Sequence, residues 1–257
     1  MAASTAAADI LRLDDVGHNF GGLVVLRSVS FAVPERAVVG LIGPNGSGKT
    51  TLFNAISGFL LPRKGTVSYL GAPLGATPVA ERSRRGMLRT FQTPRVFEHM
   101  TVLENVMAGA WRSARTGLLR DLVGTPRART ELAGIARRGE EILERFELAG
   151  LAGTLASRLT AGQRRTLEIA RAAAAGPRLV MLDEPSSGLN PGEIENLRRW
   201  IVRFRDDGTA VLLVSHDMDL MTAAHRVHVL YFGEIIASGT MADIRNDARV
   251  REVYLGV

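Results

Sequence analysis

Gly43-Pro44-Asn45-Gly46-Ser47-Gly48-Lys49-Thr50 is the stretch that decides the fold. It satisfies G-x-x-x-x-G-K-[ST]. The apolar run Ala37 to Ile42 precedes it, and Thr51 to Phe59 follows with Leu52, Ala55, Ile56 and Phe59 at helical spacing. Strand, glycine-rich loop and helix in that order is the context a phosphate-binding loop requires. Its glycines let successive backbone N–H groups converge on an anion, and the helix start adds its positive dipole end. On this reading the turn from Gly43 to Thr51 cradles a nucleotide's phosphates. Lys49 reaches the β- and γ-phosphates, and the Thr50 hydroxyl ligates Mg²⁺.

Downstream, Leu179-Val180-Met181-Leu182-Asp183-Glu184 is an apolar strand delivering two carboxylates at its C-terminal end, where open α/β sheets bind ligands. Alone, Asp-Glu after a strand is most often a helix cap or a surface pair. Beside a phosphate loop, Asp183 is expected to hold Mg²⁺ through water and Glu184 to polarise the attacking water.

Between these stretches lies Leu159-Thr160-Ala161-Gly162-Gln163-Arg164-Arg165, ahead of the helical run Thr166 to Ala174. Thr160 suits an N-cap, and the small residues leave backbone donors bare at a helix start, which makes a second anion site. Taken by itself this is an ordinary capped helix. One chain has no need of two such sites for one γ-phosphate, so the turn is expected to face the nucleotide of another subunit.

Turn signals at Gly21-Gly22 and Pro34-Glu35 separate early β-branched runs such as Val24 to Val33, predicting strands before the loop. Between Val79 and Gly150 the composition shifts toward Ala, Arg and Glu with helical periodicity, broken by Gly117, Gly124 and Pro126. Helices follow at Gly162 to Ala174, at Gly192 to Arg205 and, briefly, after Ser215. Strands fall at Leu179 to Leu182 and Ala210 to Val214. The alternation predicts an α/β fold, a P-loop core with an inserted α-helical subdomain. The boundaries expected are about 10–92 and 160–250 for the core and about 93–159 for the helical part.

The chain has 257 residues, of which 46% are apolar, enough to bury a large core. Met1 to Ile10 reads as an alanine-rich leader without a basic head, and no window approaches the length of a membrane-spanning run. Cysteine is absent, which excludes disulfides and thiolate metal sites. The formal charge of +6 raises the question of nucleic acid. The basic residues, all arginine except Lys49 and Lys64, are interspersed with acidic ones, so no nucleic-acid partner is expected.

The phosphate loop, the Leu159 to Gln163 signature and the Asp183-Glu184 strand, in that order, resemble the nucleotide-binding subunit of an ABC transporter. The resemblance implies an ABC ATPase fold with an N-terminal antiparallel β region and a single domain over residues 1–257. It further implies that Phe20 stacks on adenine, that Gln92 touches Mg²⁺ and water, that Ser187-Gly188-Leu189-Asn190 crosses a dimer interface and that His216 contacts the γ-phosphate. His18, His99, His225 and His228 match nothing in the family pattern. Thr160 and Ala161 stand where the family more often has Ser and Gly, and Asn190 where Asp is commoner.

Leu41 to Phe59, Arg89 to Val106, Leu159 to Ala172 and Leu182 to Pro191 are similar to the ATPases of bacterial branched-chain amino-acid importers. The stretches Ile244 to Gly256 and Trp111 to Arg138 resemble the larger of that pair. The partners implied are a second ABC ATPase subunit, self or sister, two transmembrane permease subunits and, indirectly, an extracytoplasmic substrate-binding protein. The location implied is cytoplasmic, on the inner face of the membrane through the permeases. Alternatives are a urea or amide importer, an exporter, or a translation or repair ATPase. The last two fit poorly, because the chain has one cassette and no heptad run.

Overall fold

The computed structural model describes residues 8–111 and 126–255. Gly117, Gly124 and most of the alanine-rich leader lie outside the described residues. Two compact units are formed, Met1–Arg89 with Arg178–Ser187 and Ile194–Val257, and Thr90–Pro177 with Gly188–Glu193.

The described strands of the first unit make one sheet. They are β1 (Asp9–Phe20), β2 (Leu23–Pro34), β3 (Val38–Ile42), β4 (Lys64–Tyr69), β5 (Ala72–Pro73), β6 (Met87–Arg89), β7 (Leu179–Asp183), β8 (Ala210–Val214), β9 (Arg226–Tyr231) and β10 (Glu234–Gly239). Their order is β5-β4-β1-β2-β10-β9-β3-β8-β7-β6. β3, β7 and β8 are buried at every residue, as parallel strands covered on both faces must be. Their sequences are accordingly continuous apolar runs. β1 pairs antiparallel with β2 and with β4, giving the N-terminal antiparallel region.

Numbered along the chain, the helices are α1 (Lys49–Ser57), α2 (Val79–Arg84), α3 (Val102–Ala110), α4 (Pro126–Arg145), α5 (Ala161–Ala174), α6 (Pro191–Asp206), α7 (Met241–Asn246) and α8 (Ala248–Leu255). Leu52, Phe53, Ala55 and Ile56 of α1 are buried. Phe59, expected on the same helical face, lies beyond the helix and is 55% exposed. Gly58, in the left-handed region at φ 89°, closes α1 by donating to Asn54 O, which ends the periodicity early. Arg82, almost fully buried, caps the same end: Nη1 donates to Ala55 O and Ile56 O at 3.0 and 2.6 Å, Nε to Thr77 O and Nη2 to Gly75 O. Its charge faces the negative end of the α1 dipole.

Met87–Arg89, read from composition as part of a helical stretch, is instead the edge strand β6, paired in parallel with β7. It is too short for periodicity to reveal.

In the second unit, Thr101 and Glu104 form a capping box on α3. Asn105, fully buried, accepts from Phe97 N and donates to the Phe97 and Thr101 carbonyls, pinning the segment before that helix. The helix α5 belongs to this unit. Among the described residues no helix is long and apolar enough to cross a membrane.

Candidate functional site

The phosphate loop lies between β3 and α1, both set by the apolar runs that flank it. Gly48 is the N-cap of α1 with φ 107°, a conformation that a side chain would strain, and its ideal Cβ would stand 3.0 Å from Val25 O. Lys49 Nζ donates to Gly43 O at 2.7 Å and Pro44 O at 2.9 Å, so the ammonium curls over its own loop. Burial lowers its pKa below the usual lysine value, while the charges of Glu184 and then Asp183 act in the opposite sense. Both carboxylates are thus brought within electrostatic reach of the lysine. Thr50 and Thr51 occupy the next positions of α1, Thr50 exposed and Thr51 half-buried.

The loop is braced from behind by the β9–β10 turn, where Gly233 N donates to Ser47 O at 3.1 Å and Gly233 O accepts from Arg27 N. Ser47 Oγ is buried and has no hydrogen-bond partner among the described residues. An orphaned hydroxyl in a glycine-rich loop at a helix start fits a ligand with acceptor oxygens, such as a phosphate. Asn45 and Gly46 are exposed at the tip, and Pro44 is half-buried.

Asp183 ends β7 and is buried, and Glu184 follows with φ 47°. A left-handed glutamate costs on the order of 1–3 kcal/mol and persists only where its surroundings hold it. Here Glu184 N donates to Val214 O, and Oε2 meets His216 Nδ1 at 2.8 Å. Ser186 Oγ and Ser215 Oγ, buried and 3.0 Å apart, tie the two chain segments together beneath that pair. Hard oxygens from Thr50 and Asp183 are the ligand type Mg²⁺ takes, alongside phosphate oxygens. Phe20 ends β1, 53% exposed, with the buried His18 ring edge-on at 4.7 Å.

In the second unit Thr160 and Gln163 form a reciprocal capping box at the start of α5. Gly162 is packed where an added Cβ would lie 2.1 Å from Glu193 Oε1. Glu193 in turn bonds Asn190 N, while Asn190 Oδ1 accepts from Glu193 N. Gln92 is exposed, on a segment clamped by α5. Arg165 donates to the Phe91 and Gln92 carbonyls, and Glu168 Oε1 accepts from Arg95 N at 3.0 Å. Burial raises the Glu168 pKa, against the bonds from Arg95 and the charge of Arg165. Gln92 belongs with Thr160, Gly162 and Gln163 in this unit. Phe20, Lys49, Asp183, Glu184 and His216 belong with the phosphate loop in the first.

Sequence reading gave no role to Arg89, Arg165, Glu168 or Glu193, since a single arginine or glutamate reads as solvated. Two of the histidines without a motif prove structural. His225 Nδ1 accepts from Val38 N, and His228 Nδ1 meets Ser238 Oγ.

The profile of the ABC transporter family matches residues 26–187. That of the branched-chain amino acid ATP-binding cassette transporter matches residues 234–257. The high-affinity branched-chain amino acid transport ATP-binding protein LivG of Salmonella typhimurium is 40% identical, covering 96% of this chain and 98% of that protein. The corresponding protein BraF of Pseudomonas aeruginosa is 38% identical with the same coverage. The crystal structure of an ATP-binding cassette of an ABC transporter in its ADP conformation has a TM-score of 0.83 at 32% identity, covering 98% of this chain and 100% of that one. With these similarities the chain belongs to the ABC transporter family, as one of its ATP-binding, ATP-hydrolysing cassettes.

Proposed function

We propose that this cassette powers import of branched-chain or other hydrophobic amino acids. The amides from Gly43 to Thr51 and the Lys49 ammonium hold the β- and γ-phosphates, and Phe20 stacks on adenine. Thr50 and Asp183 would hold Mg²⁺, which neutralises phosphate charge when bound, and Gln92 keeps the Mg²⁺-directed role that the family resemblance implies. Glu184 takes the proton of the attacking water, which it orients together with His216. Attack is in line and direct, because the residues around the loop supply positioning and charge but no nucleophile.

The single observation carrying this reading is the meeting of Glu184, its partner His216 and the charge of Lys49 beyond the C-terminal ends of β7, β8 and β3. Thr160, Gly162 and Gln163 close over the nucleotide of a second cassette, self or sister. Closure moves two transmembrane permease subunits that receive cargo from an extracytoplasmic binding protein. The cassette then sits on the cytoplasmic face of the membrane through those permeases.

The cargo reading rests on the relatives and on the C-terminal match. Purification from the native membrane should bring down two permeases, and proteoliposomes of the complex should take up labelled leucine in an ATP-dependent way. Uptake of urea, or export of a lipid, in place of leucine would defeat the cargo assignment.

A further inference from the structure

We propose that Arg89 is a positioning residue for the Asp183 carboxylate, fixing it against the helix that carries Lys49 and Thr50 before nucleotide and Mg²⁺ arrive. The proposal deepens the reading of Asp183 as a Mg²⁺-directed carboxylate and rests on it.

Arg89 is the last residue of β6 and stands opposite Met181 of β7. Asp183 is two residues beyond Met181 and so on the same face of the sheet, within reach of a long side chain. Arg89 Nη2 donates to Asp183 Oδ2 at 2.8 Å. From the other edge, Nη1 donates to Asn54 Oδ1 at 2.7 Å and Ser57 Oγ at 3.0 Å, one turn apart on α1. Ser57 spends its own proton on Phe53 O, which leaves its oxygen to accept. The guanidinium lies over the rings of Phe53 and Phe59, 5.5 and 5.9 Å from their centroids.

The pair is nearly dry, with 9% and 10% of the two side chains exposed, so its attraction is weakly screened. A planar fork bonded on both edges fixes the torsions of the carboxylate it holds, whereas a lysine ammonium offers no such second edge. The clamp joins β7, which carries the metal-directed carboxylate, to α1, which carries Thr50. The clamp thereby keeps in register the two elements whose oxygens would serve Mg²⁺.

The test is calorimetry of ADP binding to the full chain, in EDTA and again in saturating Mg²⁺, for wild type, Arg89→Met, Arg89→Lys, Asn54→Ala and Asp183→Asn. Metal-free affinity is expected to stay within about twofold of wild type in the Arg89 and Asn54 variants. The gain in affinity on adding Mg²⁺ is expected to fall about tenfold in Arg89→Met, as loss of a charge-assisted bond implies. Lysine should restore it only in part, and Asn54→Ala, which keeps the ion pair and removes an anchor, should cost about threefold.

Should Arg89→Met fail to fold, Asn54→Ala and Arg89→Lys carry the test alone. A wild-type or larger Mg²⁺ gain in the folded Arg89 variants overturns the proposal, as does an equal loss of metal-free binding. If Asp183→Asn itself keeps the full gain, the metal reading falls first and takes the positioning role with it.

Discussion

His216 Nδ1 lies 2.8 Å from Oε2 of Glu184, whose backbone is held at φ 47° between the end of β7 and the segment after β8. The two residues are 32 apart in the chain, yet the parallel pairing of Asp183 with Val214 puts them side by side. The carboxylate is thus met by a ring whose chain neighbours are held by Ser215 Oγ, which meets Ser186 Oγ and accepts from Asp217 N.

From this pair, Glu184→Gln should bind ATP normally and lose turnover by about 10²–10⁴-fold, the range of a general base. ATP-bound dimer should then accumulate on size exclusion. His216→Ala should lower turnover in the same direction, and the double variant should be little worse than Glu184→Gln, because residues acting as a unit are not additive. Single-turnover hydrolysis of labelled ATP checks this, and wild-type rates in Glu184→Gln would remove it from the chemistry.

Lys49 is already bent over the phosphate loop by its bonds to Gly43 O and Pro44 O. Replacing it by alanine should weaken ATP binding by about 10–150-fold, the equivalent of a charge-assisted hydrogen bond in a partly buried site. Titration calorimetry measures the change. Unchanged affinity would contradict the assignment.

At Gly162 the folded chain alters what a variant can report. A bulky acidic side chain there would strike Glu193 in the same chain before meeting any partner's nucleotide, so Gly162→Asp does not isolate a trans contact. Gly162→Ala meets the same clash with the least added bulk, and so tests the packing of Glu193 against the signature turn. It should displace the Glu193 carboxyl, loosen its bond to Asn190 and reduce ATP-driven dimerisation severalfold, with monomer ATP affinity unchanged. Analytical ultracentrifugation with ATP on a Glu184→Gln background reads the result, and undiminished dimer would show that Glu193 can simply move aside.

Arg82 satisfies four backbone carbonyls from an almost fully buried position, two at the end of α1 and two in the segment before α2. Arg82→Met fills much of the same volume but strands those acceptors. A loss of about 2–4 kcal/mol is expected, with urea unfolding as the measurement.

Burial, with a smaller contribution from Arg226, pushes the His228 pKa down to about 4 from an ordinary 6.5. Its ring is stacked 4.8 Å from Phe31. Unfolding exposes the ring, so between pH 6.5 and 4 the unfolded chain binds the proton and the folded chain does not. Stability therefore falls as pH drops through that window and levels off below it. Between pH 7.5 and 5 this group should account for up to about 2 kcal/mol of lost stability. His228→Leu should show a correspondingly flatter pH dependence in denaturant melts, whatever its stability at pH 7.5.

How far the sequence could be read depended on where the signal lay. β8 appears at Ala210–Val214, where its apolar run predicts it, and α5 begins within a residue of the expected start, because burial on both faces and an N-cap threonine are local signals. The short strands β5 and β6 left no periodicity to detect, and Gly58 stopped α1 before Phe59 could join its face. Arg89 sits in a quoted stretch, yet nothing local distinguishes a clamping arginine from a solvated one.

By itself the sequence determined a glycine-rich turn between a strand and a helix, two carboxylates at a strand's end and a threonine-capped helix start. Each is built by consecutive residues whose backbone geometry and chemistry are set within one loop, one strand end or one helix start. Only the tertiary structure decided that Arg89 clamps Asp183 across 94 residues and that Glu193 fills the space left bare at Gly162. Those contacts arise from which strands pair and which helices pack. Side-chain partners brought together by folding leave no spacing in the chain for a reader to find.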